Sequence, residues 1–190
     1  MNSLADRYRD TWRRLGISRQ SILERNLPLF EEARDLRVVE VGSNGQAFRL
    51  TPAAADAWTA MKAAAGEEGI EMHLVSAYRS VDRQAGLIRR KLDAGRSLDA
   101  ILEVLAPPGC SEHHTGRAVD IGTGDLRPLE PDFDRAPAFA WLGVHAHRFG
   151  FGLSFPRGNA FGYVYEPWHW CFSETGDRSF RDFESTARFP

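Results

Sequence analysis

The chain has 190 residues, of which 43% are hydrophobic, 26% charged and 11% aromatic, the make-up of one globular domain that buries its own core. Two cysteines cannot supply a disulfide lattice, and 24 Lys and Arg against 26 Asp and Glu, with no long block of either sign, exclude a nucleic-acid binder driven by bulk charge. No window nears the roughly 18 apolar residues of a membrane-spanning helix. The first residues lack the apolar centre of a secretory signal, which points to the cytoplasm as the sequence stands, and to an extracytoplasmic place of action if a leader has been trimmed away.

In chain order, Leu4, Tyr8, Trp12 and Leu15 recur at helical spacing, and Ser18 caps a second helical stretch that runs to about Asn26. Residues 1–36 therefore read as a helical N-terminal extension. Arg37 to Val41 and Gln46 to Leu50 read as a hairpin around Gly42-Ser43-Asn44-Gly45. Thr51 followed by Pro52 starts a helix that Gly69 closes. Ile70 to Ser76 reads as a buried strand, and Val81 to Ala94 and Ser97 to Leu105 as helices ended by Gly95 and by Pro107-Pro108. Beyond them, Ala118 to Ile121 reads as a strand, Pro137 to Phe149 as a helix, and Phe151 to Phe155 and Tyr163 to Phe172 as strands broken by Pro and Gly. With no repeat and no long linker, residues 1–190 are expected to form a single α+β domain, a small antiparallel sheet packed with mostly N-terminal helices.

Ligand-type residues concentrate in two places, Ser111 to Asp120 and Glu166-Pro167-Trp168-His169. Two imidazoles and one carboxylate leave a fourth tetrahedral position of a zinc ion open to water, and His113, Asp120 and His169 can make that set. His113 and His114 are neighbours, and on extended backbone they point apart, so at most one is a ligand. Glu166 is the candidate to take a proton from water and pass it to a leaving amine, because Pro167 bends the segment and can bring it beside His169. The helical His-Glu-x-x-His pattern is absent. Taken one at a time these signals are weak: a lone buried His is more often a hydrogen-bonded core residue than a ligand, and Trp168 and Trp170 read as core or pocket wall.

Three separated segments together resemble the VanY-like zinc D-alanyl-D-alanine carboxypeptidases and dipeptidases, metallopeptidases of the LAS type. They are Ser76-Ala77-Tyr78-Arg79-Ser80 with the later Gln84, then Ser111-Glu112-His113 through Asp120, and then Glu166-Pro167-Trp168-His169. Residues 37–172 carry the likeness. Position by position, the resemblance implies one catalytic Zn2+ held by His113, Asp120 and His169, with Glu166 as general base and acid. It implies that Arg79 neutralises a substrate carboxylate or the developing oxyanion, and that Gln84, Ser111 and Trp168 meet the substrate. Without the other segments, Arg79 reads as a salt-bridge partner and Gln84 as an exposed helix residue.

The implied activity is a zinc-dependent D,D-carboxypeptidase acting on the terminal D-alanine of peptidoglycan peptides or precursors. An L,D-carboxypeptidase, a D,D-dipeptidase, a cell-wall endopeptidase and a catalytically silent zinc- or wall-binding module are the alternatives. Cys110 and Cys171 depart from the family pattern, the first standing where Tyr is common and the second where a basic residue often follows His-Trp. Three readings stay open for them: two buried thiols, a disulfide, or a closed structural zinc site of Cys110, His113, His169 and Cys171. His145 and His147, two apart on one helix, are not a ligand pair, and His73 reads as structural.

Overall fold

The computed structural model describes residues 3–124 and 126–174. Helix α1 (Leu4–Leu15) begins with a reciprocal capping box between Ser3 and Asp6 and ends on Gly16 in the left-handed region. Its periodic apolar face, Tyr8, Trp12 and Leu15, is buried, as is Ile22 on α2 (Arg19–Glu24), which Ser18 caps. These side chains pack with Val81 and Ile88 of α4 (Val81–Asp93) and Ile101 of α5 (Leu98–Leu102) into one of two core clusters.

The other core lies between α3 (Pro52–Glu67), α6 (Pro137–His145) and a four-stranded sheet, and is built from Trp58, Met61, Leu74, Ile121, Leu142, Phe151 and Trp170 among others. The sheet is antiparallel throughout in the order β3 (His73–Ser76), β4 (Ala118–Gly122), β6 (His169–Phe172), β5 (Phe151–Leu153). β4 is central and all five of its residues are buried. The hairpin of β1 (Arg37–Val41) and β2 (Ala47–Leu50) forms a separate two-stranded sheet, with a register shift between Val38 and Glu40. The architecture is the expected α+β one. Among the described residues, no helix is long and apolar enough to cross a membrane.

Several boundaries fall short of the sequence reading, for local reasons. The strand at 70–76 begins only at His73, because Ile70 N–H is spent on the carbonyl of Ala65 at the end of α3. The helix from Pro137 tightens into a 3-10 turn (Ala146–Phe149) before Gly150. Residues 163–168 are not strand. Asn159 stitches the preceding loop, its Nδ2 donating to the carbonyls of Pro156 and Tyr163 and its Oδ1 accepting from the N–H groups of Phe161 and Tyr163, and Pro167 has no N–H to pair. Thr51 has the backbone of a cap but no side-chain cap bond; its N–H instead bonds the carbonyl of Gly116.

The N-terminal segment is tied to the part of the chain that carries the ligand-type residues. Tyr8 and Trp12 donate to the carbonyls of Phe30 and Pro108, Phe30 N–H to Gly109, and Ala33 N–H to His114. Gly109 has φ +90°, and a Cβ there would lie 2.2 Å from the Tyr8 ring, so both backbone and packing require glycine.

Candidate metal centre

The sheet register gathers the site. Ser76 on β3 and His169 on β6 both pair with Asp120 on the strand between them, which sets the three side chains in one cross-strand row. His113 arrives from outside the sheet. Residues Glu112–Thr115 form a 3-10 turn, where the sequence pointed to extended backbone, and Gly116 ends it at φ +65° before β4 begins. On this geometry too, only one of the two histidines, His113, joins the converging group. His114 accepts from Gly109 N–H at Nε2 and donates from Nδ1 to the carbonyl of Arg79 at 2.6 Å, so both of its nitrogens are occupied, and burial pushes its pKa down to about 4.

His113, Asp120 and His169 converge, all buried, with one ligand atom from each lying within 4.8 Å of the others. His113 Nε2 is 3.2 Å and His169 Nδ1 2.9 Å from the two oxygens of Asp120, and the imidazole rings meet edge to face at 4.9 Å. The far nitrogens are oriented by other groups: His113 Nδ1 donates to the carbonyl of Ala77 at 2.7 Å, and His169 Nε2 to Glu112 at 2.9 Å. Rings anchored on one nitrogen so that the other faces a carboxylate are the arrangement of metal-ligating histidines, and the donor set of two nitrogens and one oxygen fits zinc. Burial pushes the His113 pKa down. Burial alone would raise the Asp120 carboxyl, but His113 and His169 hold it well below the usual carboxylate range.

Glu166 lies beside this group without belonging to it, 3.8 Å from His169 Nδ1. Burial raises its pKa to about 7, against the pull of His169 and with the help of Asp120. Arg79 is 3.8 Å from Asp120 and donates to Ser76 Oγ at 3.1 Å and to Gln84 Oε1 at 2.9 Å. Gln84 is only 1% exposed, spends its amide N–H on the carbonyl of Ala106, supports Arg79 and lines the cavity at this site, so it does not lie on an exposed helix face. A cavity of about 730 Å³ joins these groups, with Ser111 and Trp168 on its walls.

The cysteines are buried and free of a disulfide. No sulfur belongs to the converging ligand group found among the described residues, so neither the disulfide nor the closed Cys110, His113, His169, Cys171 site is formed, and the buried-thiol reading stands. The ring of His145 lies 4.8 Å from that of Trp141 and tilted to it, while His147 and His73 are exposed. Glu112 escaped the sequence reading: on extended backbone it would point away from His113, whereas the 3-10 turn brings it back to His169, where the same oxygen accepts from Ser154 Oγ at 2.6 Å.

The family model VanY, D-alanyl-D-alanine carboxypeptidase, matches residues 47–175, which include every segment of this site. YodJ of Bacillus subtilis is 37% identical over 119 residues, 61% of this chain and 43% of that protein. VanXYC of Enterococcus gallinarum, a bifunctional D-Ala-D-Ala dipeptidase and D-Ala-D-Ala carboxypeptidase, is 29% identical over 80% of this chain and 81% of its own length. This chain thus spans less than half of YodJ but most of VanXYC. Among solved structures, that of the LD-carboxypeptidase LdcB superposes with a TM-score of 0.66 at 32% identity, covering 74% of this chain and 69% of the other. A variant of the D,D-pentapeptidase VanY in complex with Zn(II) gives a TM-score of 0.59 at 25% identity, covering 76% and 82%.

Proposed function

The chain belongs to the VanY family of D-alanyl-D-alanine carboxypeptidases, and from that premise we propose that it is a zinc-dependent D,D-carboxypeptidase that removes the terminal D-alanine from peptidoglycan peptides or their precursors. The observation that carries this reading is the placement of Glu166 next to a buried His, Asp, His group and outside it.

A zinc ion held by His113, Asp120 and His169 supplies Lewis acidity toward the scissile carbonyl and lowers the pKa of water toward about 7. Glu166 takes the proton of the attacking water and returns it to the departing amine; a carboxyl whose pKa is close to 7 suits both transfers. Arg79, held by Ser76 and Gln84, faces the negative charge that develops as the carbonyl is attacked, or the carboxylate of the peptide end. Ser111 and Trp168 border the space in which the peptide lies. The route needs no covalent enzyme intermediate.

The likeness to LdcB, an LD-carboxypeptidase, supports a second reading in which the same machinery cuts between an L- and a D-residue. A substrate panel separates the readings: a pentapeptide ending in D-Ala-D-Ala, a tetrapeptide ending in a single D-Ala, free D-Ala-D-Ala, and intact cross-linked wall. Turnover of the pentapeptide supports the first reading and preference for the tetrapeptide the second. Zinc and wall binding with no turnover of any member overturns both in favour of a silent module.

A further inference from the structure

β3 ends at Ser76 and α4 begins at Val81, so Arg79 stands on a short connection, Ala77 to Ser80, that belongs to no regular element. The backbone polar groups of such a segment need partners from elsewhere. Three of its bonds run to the 3-10 turn that carries His113. Arg79 N–H donates to the carbonyl of His113 at 3.1 Å, the Ala77 carbonyl accepts from His113 Nδ1 at 2.7 Å, and the Arg79 carbonyl accepts from His114 Nδ1 at 2.6 Å.

His114 takes no part in the chemistry of the site directly. It lies outside the converging ligand group, does not border the cavity, and has none of its surface exposed. Its two nitrogens are used in opposite senses, Nε2 accepting from Gly109 N–H at 3.1 Å while Nδ1 donates to Arg79, which fixes the proton on Nδ1. Its main chain is fixed as well, the N–H on the Ser111 carbonyl at 3.0 Å and the carbonyl on Ala33 N–H at 2.8 Å. Ser76 and Gln84, from the elements on either side of the connection, set the direction of the Arg79 guanidinium. The main chain from which that side chain extends is held by the two histidines.

We propose that His114 is a positioning residue for Arg79: by holding the Arg79 carbonyl against the turn that carries His113, it sets the place of the guanidinium relative to the metal ligands. The two adjacent imidazoles then divide the work, one reaching the metal and the other fixing the residue that meets substrate charge. This rests on the peptidase reading and deepens it. Ala33, ahead of the family match, supports the arrangement through its bond to the His114 carbonyl, so the N-terminal segment braces the site as well as completing the core.

The test compares two conservative variants by steady-state kinetics on the panel peptide that the zinc-loaded wild type hydrolyses best, with zinc content and melting temperature measured alongside. In His114→Asn the amide nitrogen stands near the place of Nδ1 and keeps the bond to the Arg79 carbonyl, while Gly109 N–H loses its acceptor. In His114→Gln the longer side chain reaches Gly109 N–H and releases the Arg79 carbonyl. Each variant loses one buried hydrogen bond, so both should melt at a lower temperature than wild type, with zinc content unchanged. His114→Gln should lose about ten- to a hundredfold in kcat/KM, the scale of a small misplacement of a catalytic group, and His114→Asn should stay within about threefold of wild type. In an Arg79→Ala background, His114→Gln should add little, because it acts through Arg79. Equal losses in the Asn and Gln variants, or a His114→Gln effect that multiplies in full with Arg79→Ala, overturn the proposal in favour of a merely structural His114. If His114→Gln does not fold, His114→Leu, which also releases the Arg79 carbonyl, takes its place. If the wild type hydrolyses no panel member, the peptidase reading fails separately. The inference is then decided by calorimetric binding of the D-Ala-D-Ala pentapeptide, where weaker binding by His114→Gln than by His114→Asn supports it and equal affinities overturn it.

Discussion

Glu112 accepts a hydrogen bond from His169 Nε2 at 2.9 Å, leaving Nδ1 of the same ring to face Asp120 at 2.9 Å. The choice of nitrogen offered to a metal is thus made by a residue that need not touch the metal at all. Ser154 bonds the same carboxylate oxygen and fixes it in turn.

Glu112→Gln keeps the shape of that side chain but weakens its hold on the ring. Zinc affinity, measured by competition with a chelator of known affinity, should fall about 10- to 100-fold while the fold is retained. Unchanged affinity would show that His169 is oriented by other contacts.

Glu166 is proposed to carry the proton and not the metal, since it lies beside the His, Asp, His group and outside it. In Glu166→Gln, zinc content should stay near the wild-type value while hydrolysis drops by about two orders of magnitude or more, the scale of a general-base contribution. Full activity in this variant removes Glu166 from the mechanism.

On the proposed function, replacing His113, Asp120 or His169 with Ala should release the metal, because each is one of the three side chains proposed to hold it. Cys110→Ser and Cys171→Ser should keep it, since neither thiol belongs to the group. Metal analysis of the five purified variants checks both halves.

In the metal-free chain, His169 makes stability depend on pH. Burial opposes its charge, but hydrogen bonds to Asp120 and Glu112 outweigh burial and push its pKa from the ordinary 6.5 up to about 10. A folded-state pKa above the unfolded one gives stability that is fully present below about pH 6.5 and is lost as pH rises through about 10. Zinc binding requires the neutral ring and removes this dependence. Melting temperature measured across that window should therefore fall for the metal-free protein, and the stabilisation added by zinc should grow. A flat metal-free profile contradicts the assignment.

The candidate ligands His113, Asp120 and His169 were legible only together: each alone is a weak signal, and it is the three separated segments in order that single out those imidazoles and that carboxylate. The helices of the N-terminal part were legible from local signals, such as the periodic face of α1 and the Ser18 cap of α2. Long-range register was not. The pairing of Asp120 with both Ser76 and His169 joins residues far apart in the chain, and no local pattern encodes it. Nothing local in the sequence marks Glu112, because its approach to His169 depends on the 3-10 turn at Glu112–Thr115 and on a partner far along the chain. The aromatic and β-branched neighbours of Tyr163 favour a strand, while the side chain of Asn159 holds the segment in a loop instead.

On the proposed function, zinc-assisted removal of a terminal D-amino acid occurs at this one site. Its most direct test is chiral mass-spectrometric detection of the amino acid released from a D-Ala-D-Ala pentapeptide by protein that is zinc-loaded, stripped with chelator, and then reloaded. D-alanine released by the loaded protein, abolished by stripping and restored by zinc, is the expected result. Release that survives complete removal of the metal would contradict the account.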